Sequence, residues 1–110
     1  MNNIKILVVE PKKEPYIKEI KNTIGEIYGI VYFPFEILEI EKDIILISSL
    51  GGKDIKDKFF PANRIFKDSI IYSSFVILGK KNGGFTSLTN EQVRKYTDMF
   101  SLTKDLEMHI

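Results

Sequence analysis

The side chains best suited to hold a ligand stand in one short segment, Pro61-Ala62-Asn63-Arg64. The chain has 14 Lys but only two Arg, which suggests that Arg64 is needed for its planar guanidinium. That group can hold a carboxylate, a phosphate or backbone carbonyls. We therefore predict a small binding surface built from Asn63 and Arg64, with Tyr16 or Glu10 nearby. The alternative is structural: Arg64 ties an irregular loop to the core, and Asn63 shapes a left-handed turn.

Side chains that could catalyse a reaction are scarce. The chain has no Cys, which excludes disulfides, thiolate metal sites and cysteine nucleophiles. Its one His, His109, is the penultimate residue, a position too mobile to hold a general base in place. Because no Ser–His or Cys–His pair exists, we expect no enzyme, no catalytic residues, no metal site and no cofactor.

Two further groups of residues could hold ions, but their spacing favours structural roles. The acidic residues between positions 36 and 43 lack the spacing of a metal-binding loop, and we interpret them as solvated charges that protect a strand edge: Glu36, Glu39, Glu41 and Asp43. The glycine-rich stretches lack the Walker pattern and predict turns: Gly51-Gly52-Lys53 and Lys80-Lys81-Asn82-Gly83-Gly84. The Asn82-Gly83 pair in particular predicts a type I′ hairpin turn.

The balance of charge favours a protein partner. Net charge is +1, from 16 basic and 15 acidic residues, so the chain has no electrostatic footprint for bulk nucleic-acid binding. Two alternatives stay open: nucleic-acid binding through Lys-rich loops at 56–64 and at Lys80-Lys81, and small-ligand binding near Asn63 and Arg64. In addition, an exposed strand near Pro34 could pair with a second copy to form a homodimer.

The apolar residues give no sign of export. No run has the length of a secretory signal or a membrane span, so we expect a cytoplasmic protein without membrane contact. The 18 Ile against one Ala and the excess of Lys over Arg are what AT-rich codons would produce, which favours a low-GC bacterium or its mobile elements as the source.

By pattern, most of the aromatic side chains are predicted to lie in the core, including Tyr28, Tyr32, Phe33 and Phe35.

Short runs rich in Ile and Val predict most of the secondary structure. Strands are predicted over 4–10, 16–20, 30–33, 44–49, 70–72, 74–78 and 85–87. The runs 70–72 and 74–78 form either a strand pair or one bent strand, and 59–66 is an irregular apolar segment. One short helix is predicted over 23–28. A second is predicted over 90–100, where Thr89 and Gln92 have the spacing of a capping box.

These elements predict an α+β fold with a small mixed or mainly antiparallel sheet, one short helix and one C-terminal helix. The strands cluster without the regular β–α alternation of a doubly wound sheet. The length of 110 residues fits one domain, predicted over 1–102, followed by a tail over 103–110.

Several of these segments together resemble the DUF3846 family, a domain of unknown function found in bacteria, phages and conjugative elements. The resemblance lies in Leu7-Val8-Val9-Glu10-Pro11, Pro15 to Ile20, Pro61-Ala62-Asn63-Arg64, Phe75-Val76-Ile77-Leu78-Gly79 and Phe85-Thr86-Ser87-Leu88-Thr89, followed by Glu91-Gln92 and Tyr96. These pieces run in order from Ile4 to Phe100, and the stretch 36–58 is poorly matched. The resemblance implies a small α+β domain, often on mobile elements, without an established activity or known catalytic residues.

Overall fold

The computed structural model describes residues 3–50 and 61–102. In chain order the elements are β1 (Asn3–Val9), β2 (Tyr16–Lys21), α1 (Ile24–Tyr28), β3 (Phe35–Glu41), β4 (Ile44–Ser49), β5 (Ala62–Phe66), β6 (Ser69–Tyr72), β7 (Phe75–Lys81), β8 (Gly84–Thr86) and α2 (Asn90–Met99). Every strand pairing in this part of the chain is antiparallel. The predicted α+β fold is therefore confirmed.

The main sheet has the order β2-β1-β7-β4-β3, so β2 and β3 are its outer strands. The short strand β8 pairs with the second half of β7, which leaves the first half of β7 for β1. At this junction a Cβ on Gly79 would lie 2.6 Å from Cγ2 of Thr86, so the close approach of β7 and β8 requires a glycine. Strands β5 and β6 form a separate hairpin.

Both faces of the main sheet are packed. Alternate side chains of its central strands point to opposite sides, so each strand contributes apolar residues to both faces. On the first face, β1, β4 and β7 contribute apolar residues that pack with Ile27 of α1 and with Val31: Ile4, Ile6, Val8, Ile45, Ile47, Val76 and Leu78. On the second face, the alternate residues pack under α2 and the β5–β6 hairpin: Leu7, Val9, Ile44, Leu46, Phe75 and Ile77. This two-sided burial explains why the central strands are nearly continuous apolar runs.

Local sequence signals set several element boundaries as predicted. The Thr89 hydroxyl accepts from the Gln92 backbone N–H, and the Gln92 side chain accepts from the Thr89 N–H, so the capping box of α2 is confirmed. Asn82 and Gly83 have φ angles of 52° and 78°, as a type I′ hairpin requires. The predicted strands at 16–20 and 44–49 and the short helix near 23–28 are confirmed as well.

The strand predicted over 30–33 is wrong. The backbone N–H groups of Ile30 and Val31 both donate to the carbonyl of Ile27, so they close the end of α1 and take no part in a ladder. The chain then bends through Phe33 and Pro34, and the outer strand begins at Phe35. Apolar, β-branched composition alone could not reveal that these donors had a helical partner.

The segment around residue 62 also differs from its prediction. Residues 62–66 form the strand β5, which pairs with β6 and has a register shift between Ala62 and Arg64. Strands β6 and β7 do not pair with each other: Ser73, at φ 63°, turns the chain from the hairpin into the main sheet. The predictions for Gly51-Gly52-Lys53, Lys56, His109 and the tail 103–110 lie outside the described residues.

No helix among the described residues has both the length and the apolar character needed to cross a membrane.

Candidate functional site

Asn63 connects β5 to two other segments. Its Nδ2 donates to the carbonyl of Val9 at 2.9 Å and to the carbonyl of Ser73 at 2.8 Å, and the side chain is buried. Asn63 lies in an extended strand at the register shift of β5 and does not take the left-handed conformation. The suggestion that it shapes a left-handed turn is therefore wrong, because its side chain joins the end of β1 to the turn between β6 and β7.

Arg64 is a buried hydrogen-bonding hub. Only 2% of the residue is exposed. Its Nε donates to the carbonyl of Phe100 at 2.8 Å, Nη1 donates to Oδ1 of Asn63 at 2.7 Å, and Nη2 donates to the carbonyl of Lys13 at 2.6 Å. One guanidinium thus holds the β1–β2 loop, strand β5 and the C-terminal end of α2 together, with all of these donors directed at protein oxygens.

Glu10 and Tyr16 face each other across the β1–β2 loop. Glu10 is the first residue after β1, and Tyr16 is the first residue of β2. The Tyr16 hydroxyl donates to the Glu10 carboxylate, and Lys13 Nζ lies 3.5 Å from Oε1 of the same carboxylate. The hydrogen bond from Tyr16, followed by the charge of Lys13, lowers the pKa of Glu10. The bond to Glu10, together with partial burial, raises the pKa of Tyr16 to about 12.

The Tyr16–Glu10 pair predicts a change in stability at alkaline pH. Because the pKa of Tyr16 in the folded chain is raised above its ordinary value of 10.0, its contribution to stability is complete below pH 10 and is lost between pH 10 and about pH 12. We expect Tyr16→Phe to reduce the fall in the free energy of unfolding over this interval. Absorbance at 295 nm should also lose one phenolate transition near pH 12. In Glu10→Gln the pKa of Tyr16 should return toward 10; an unchanged transition in that variant would contradict the assignment.

The four predicted residues therefore come together around the β1–β2 loop, but in two layers. Asn63 and Arg64 are buried beneath the loop, and Glu10 and Tyr16 are on its surface. The described bonds assign Asn63 and Arg64 a supporting role, since a ligand could reach the guanidinium only by displacing backbone carbonyls. A binding role for the surface pair Glu10 and Tyr16 stays a prediction.

The acidic cluster lies along β3 and at the turn after it. Glu41 accepts from the Tyr96 hydroxyl and from Lys95 Nζ, the latter at 3.0 Å, and these bonds lower the pKa of Glu41. Glu39 accepts from the backbone N–H of Asp43 at 3.2 Å and lies 3.9 Å from Lys80 Nζ. Among the described residues no three acidic or imidazole groups converge on a point where a metal ion would fit.

An exposed aromatic patch was not foreseen from the sequence. We use this name for Tyr28, Tyr32, Phe33, Phe35 and Ile37. The rings of Tyr28, Phe33 and Phe35 lie 5.1 to 5.7 Å apart, and Ile37 is on the same sheet face as Phe35. Phe33 is 66% exposed, Tyr32 56% and Tyr28 52%, so the prediction that these three are core residues is wrong. The density of aromatic residues over 28–35 was the available signal, but it does not distinguish a core from a surface cluster.

A cleft lies on the opposite side of β3, between the main sheet and the β5–β6 hairpin. It has a volume of about 200 Å³ and is lined by both apolar and polar residues: Leu38, Leu46, Ile70, Ile71, Ser48, Ser69, Glu36 and Lys67. Leu38 and Ile70 are exposed apolar residues at its mouth. The outer strand β3 thus has the exposed aromatic patch on one face and the cleft on the other.

Comparison with known protein families places most of the chain in one of them. The family model described as Domain of unknown function (DUF3846) matches residues 4–101. No curated protein and no solved structure matches the chain.

Proposed function

Since the chain belongs to this DUF3846 family, whose function is unknown, we propose a function from its surface: a protein-interaction module that holds its partner at the aromatic patch. In this proposal the chain is a cytoplasmic accessory domain of a phage or another mobile element. The family resemblance supports that setting, and so does the excess of Ile and Lys, which AT-rich codons would produce. The aromatic patch supports the mode of action.

The exposure of the patch carries the proposal. Monomeric proteins rarely expose contiguous apolar surface of this kind, and binding energy at interfaces concentrates in aromatic anchors. Tyr28, Tyr32 and Phe33 are each more than half exposed, and three of the patch rings already contact one another. A rigid group of rings loses little conformational entropy when a partner covers it.

The two alternative functions have less support in the geometry. For small-ligand binding near Asn63 and Arg64, the described donors of both side chains are engaged with protein oxygens. For nucleic-acid binding, Lys80 lies beside Glu39, and Lys56 is outside the described residues. Binding of single strands needs a basic groove lined by aromatic residues, and the ion pair of Lys80 with Glu39 offsets the charge that such a groove requires.

A matched pair of substitutions tests the proposal. Ile37 and Ile17 are the same residue type, 56% and 52% exposed, on opposite outer strands of one sheet. We expect wild-type protein and Ile17→Ser to retain a common partner in quantitative affinity purification from native cells. Phe33→Ser and Ile37→Ser should retain at least roughly tenfold less, the effect of removing about 1.4 kcal/mol of binding energy.

Nuclease treatment and salt separate this proposal from nucleic-acid binding. The retained partner should persist after nuclease digestion and depend weakly on salt, since phosphate contacts produce a steep salt slope. Equal loss of the partner in Ile17→Ser and Ile37→Ser, or release of all bound material by nuclease, would overturn the proposed function.

A further inference from the structure

The outer edge of β3 carries backbone groups that no described residue satisfies. The Leu50 N–H donates to the Pro34 carbonyl at 2.9 Å, which marks a hydrogen-bonded pair at the start of the β3–β4 ladder. Bonded and non-bonded pairs alternate along an antiparallel ladder. Continuing the alternation through the observed register directs the N–H and C=O groups of Phe35, Ile37 and Glu39 away from β4. Such an edge is a template for one more strand.

A strand added at this edge would meet the aromatic patch on one face of the sheet and the cleft on the other, because directly opposed side chains share a face. Residues opposite Phe35 and Ile37 would cover the aromatic patch. A residue opposite Leu38 would lie over the cleft of about 200 Å³ on the other face, which has room for an apolar side chain. The register shift that follows Glu39 confines regular pairing to residues 35–39.

The charges of β3 select between a second copy and a different partner. Every charged residue of the strand is acidic: Glu36, Glu39 and Glu41. In the antiparallel register centred on Ile37, Glu36 would lie diagonal to the Glu36 of a second copy and Glu39 would oppose its Phe35, so no carboxylate of the strand would gain an opposite charge. Basic residues would be complementary. All three carboxylates already have partners: Glu39 and Glu41 make exposed ion pairs with Lys80 and Lys95, and Glu36 has an interaction of its own. The basic residues of a bound segment would therefore exchange with existing partners, and the exposed pairs oppose that exchange only weakly.

We propose that the partner contributes an extended basic segment, which adds to β3 as an antiparallel strand; this inference rests on the proposed function. Read from its N-terminus, the segment has the order basic, apolar, apolar, basic, aromatic. These five residues oppose, in turn, Glu39, Leu38, Ile37, Glu36 and Phe35. The second residue enters the cleft, the third and fifth cover the aromatic patch, and the third exchanges both backbone hydrogen bonds with Ile37.

A synthetic peptide tests this register directly. The probe is acetyl-Ser-Lys-Leu-Val-Lys-Phe-Ser-amide, titrated into ¹⁵N-labelled full-length protein and followed by NMR. We expect saturable shifts at the amides of β3 and of the cleft, with a dissociation constant below about 1 mM. N-methylation of the peptide Val, which faces β3, should weaken binding at least about tenfold. N-methylation of the peptide Leu, whose N–H points away, should change it less than about threefold.

Charge reversal gives an independent test. A peptide with Glu in place of both Lys should bind wild-type protein at least about tenfold more weakly. Glu36→Lys should regain affinity for a peptide with Glu at the fourth of the five positions, whereas Glu19→Lys, an exposed site on the opposite outer strand, should not. No saturable binding, equal effects of the two N-methyl groups, or shifts centred on β2 would overturn the inference.

Two further outcomes separate this inference from its premise. If Phe33→Ser and Ile37→Ser lose the cellular partner but no peptide binds at β3, the partner uses the patch without adding a strand, and only this inference fails. If the same variants keep the cellular partner, the proposed function fails. A concentration-dependent dimer with the Ile37 amide protected from exchange would assign the edge to a second copy and overturn the inference.

Discussion

Arg64→Lys should lower the free energy of unfolding by roughly 2–4 kcal/mol, although it keeps the charge. The guanidinium joins three segments through the carbonyls of Phe100 and Lys13 and the side chain of Asn63. A lysine ammonium is a compact donor on a flexible stem and cannot span these acceptors together. It would leave buried carbonyls unpaired, and each of them costs about 1–3 kcal/mol. The expected fall in Tm is roughly 10–20 °C.

The chain contains its own control for this substitution. Its only other arginine, Arg94, is exposed on α2, so Arg94→Lys should change stability by no more than about 0.5 kcal/mol. Urea denaturation followed by circular dichroism measures both variants. If Arg64→Lys unfolds at the wild-type urea concentration and instead loses the cellular partner, Arg64 serves ligand binding and the supporting role is wrong.

Phe75→Ala should be the most destabilising single truncation in the second-face core, at about 3–5 kcal/mol. Phe75 is fully buried, and its ring contacts the Phe100 ring edge-to-face with centroids 5.2 Å apart. Phe100 in turn packs on Phe66 of the β5–β6 hairpin. Removing the Phe75 ring would therefore open a cavity where the sheet, α2 and the hairpin meet. A domain of this size has only about 5–15 kcal/mol of stability in total.

The same truncation on the aromatic patch should cost little stability but should reduce partner binding. Phe33→Ala removes an equal volume from a ring that is 66% exposed, so the loss should stay below about 1 kcal/mol. Chemical denaturation would give the two stabilities, and affinity purification the partner retained by each folded variant. If Phe33→Ala destabilises as much as Phe75→Ala, the patch is part of the core and the proposed function loses its support.

Local chemistry made the ends of the chain's clearest elements predictable. The capping box at Thr89 and Gln92 and the Asn82-Gly83 turn were confirmed, because each depends on hydrogen bonds or φ angles within a few residues. The segment 30–33 was not predictable in this way. Its composition is that of a strand, but the donors of Ile30 and Val31 are satisfied by α1.

The candidate sites also depend on contacts between residues far apart in the sequence. Arg64 stood out because arginine is rare in this chain, yet its role depends on Phe100 and Lys13, which are 36 and 51 residues away. The aromatic residues of 28–35 stood out as apolar, and their pattern predicted a core. Their exposure became evident only when α1 and β3 had been placed, because the first-face core is already filled by β1, β4 and β7.

By itself, then, the sequence determined the α+β class, the strong helix cap, the hairpin turn and the lack of cysteine chemistry. These are properties of composition and of contacts between near neighbours. The tertiary structure alone decided that Arg64 is enclosed by carbonyls, that β3 is an outer strand, and that the aromatic patch and the cleft lie on its two faces. Each of these depends on long-range strand pairing, and the strand order of a sheet is not encoded in any one of its strands.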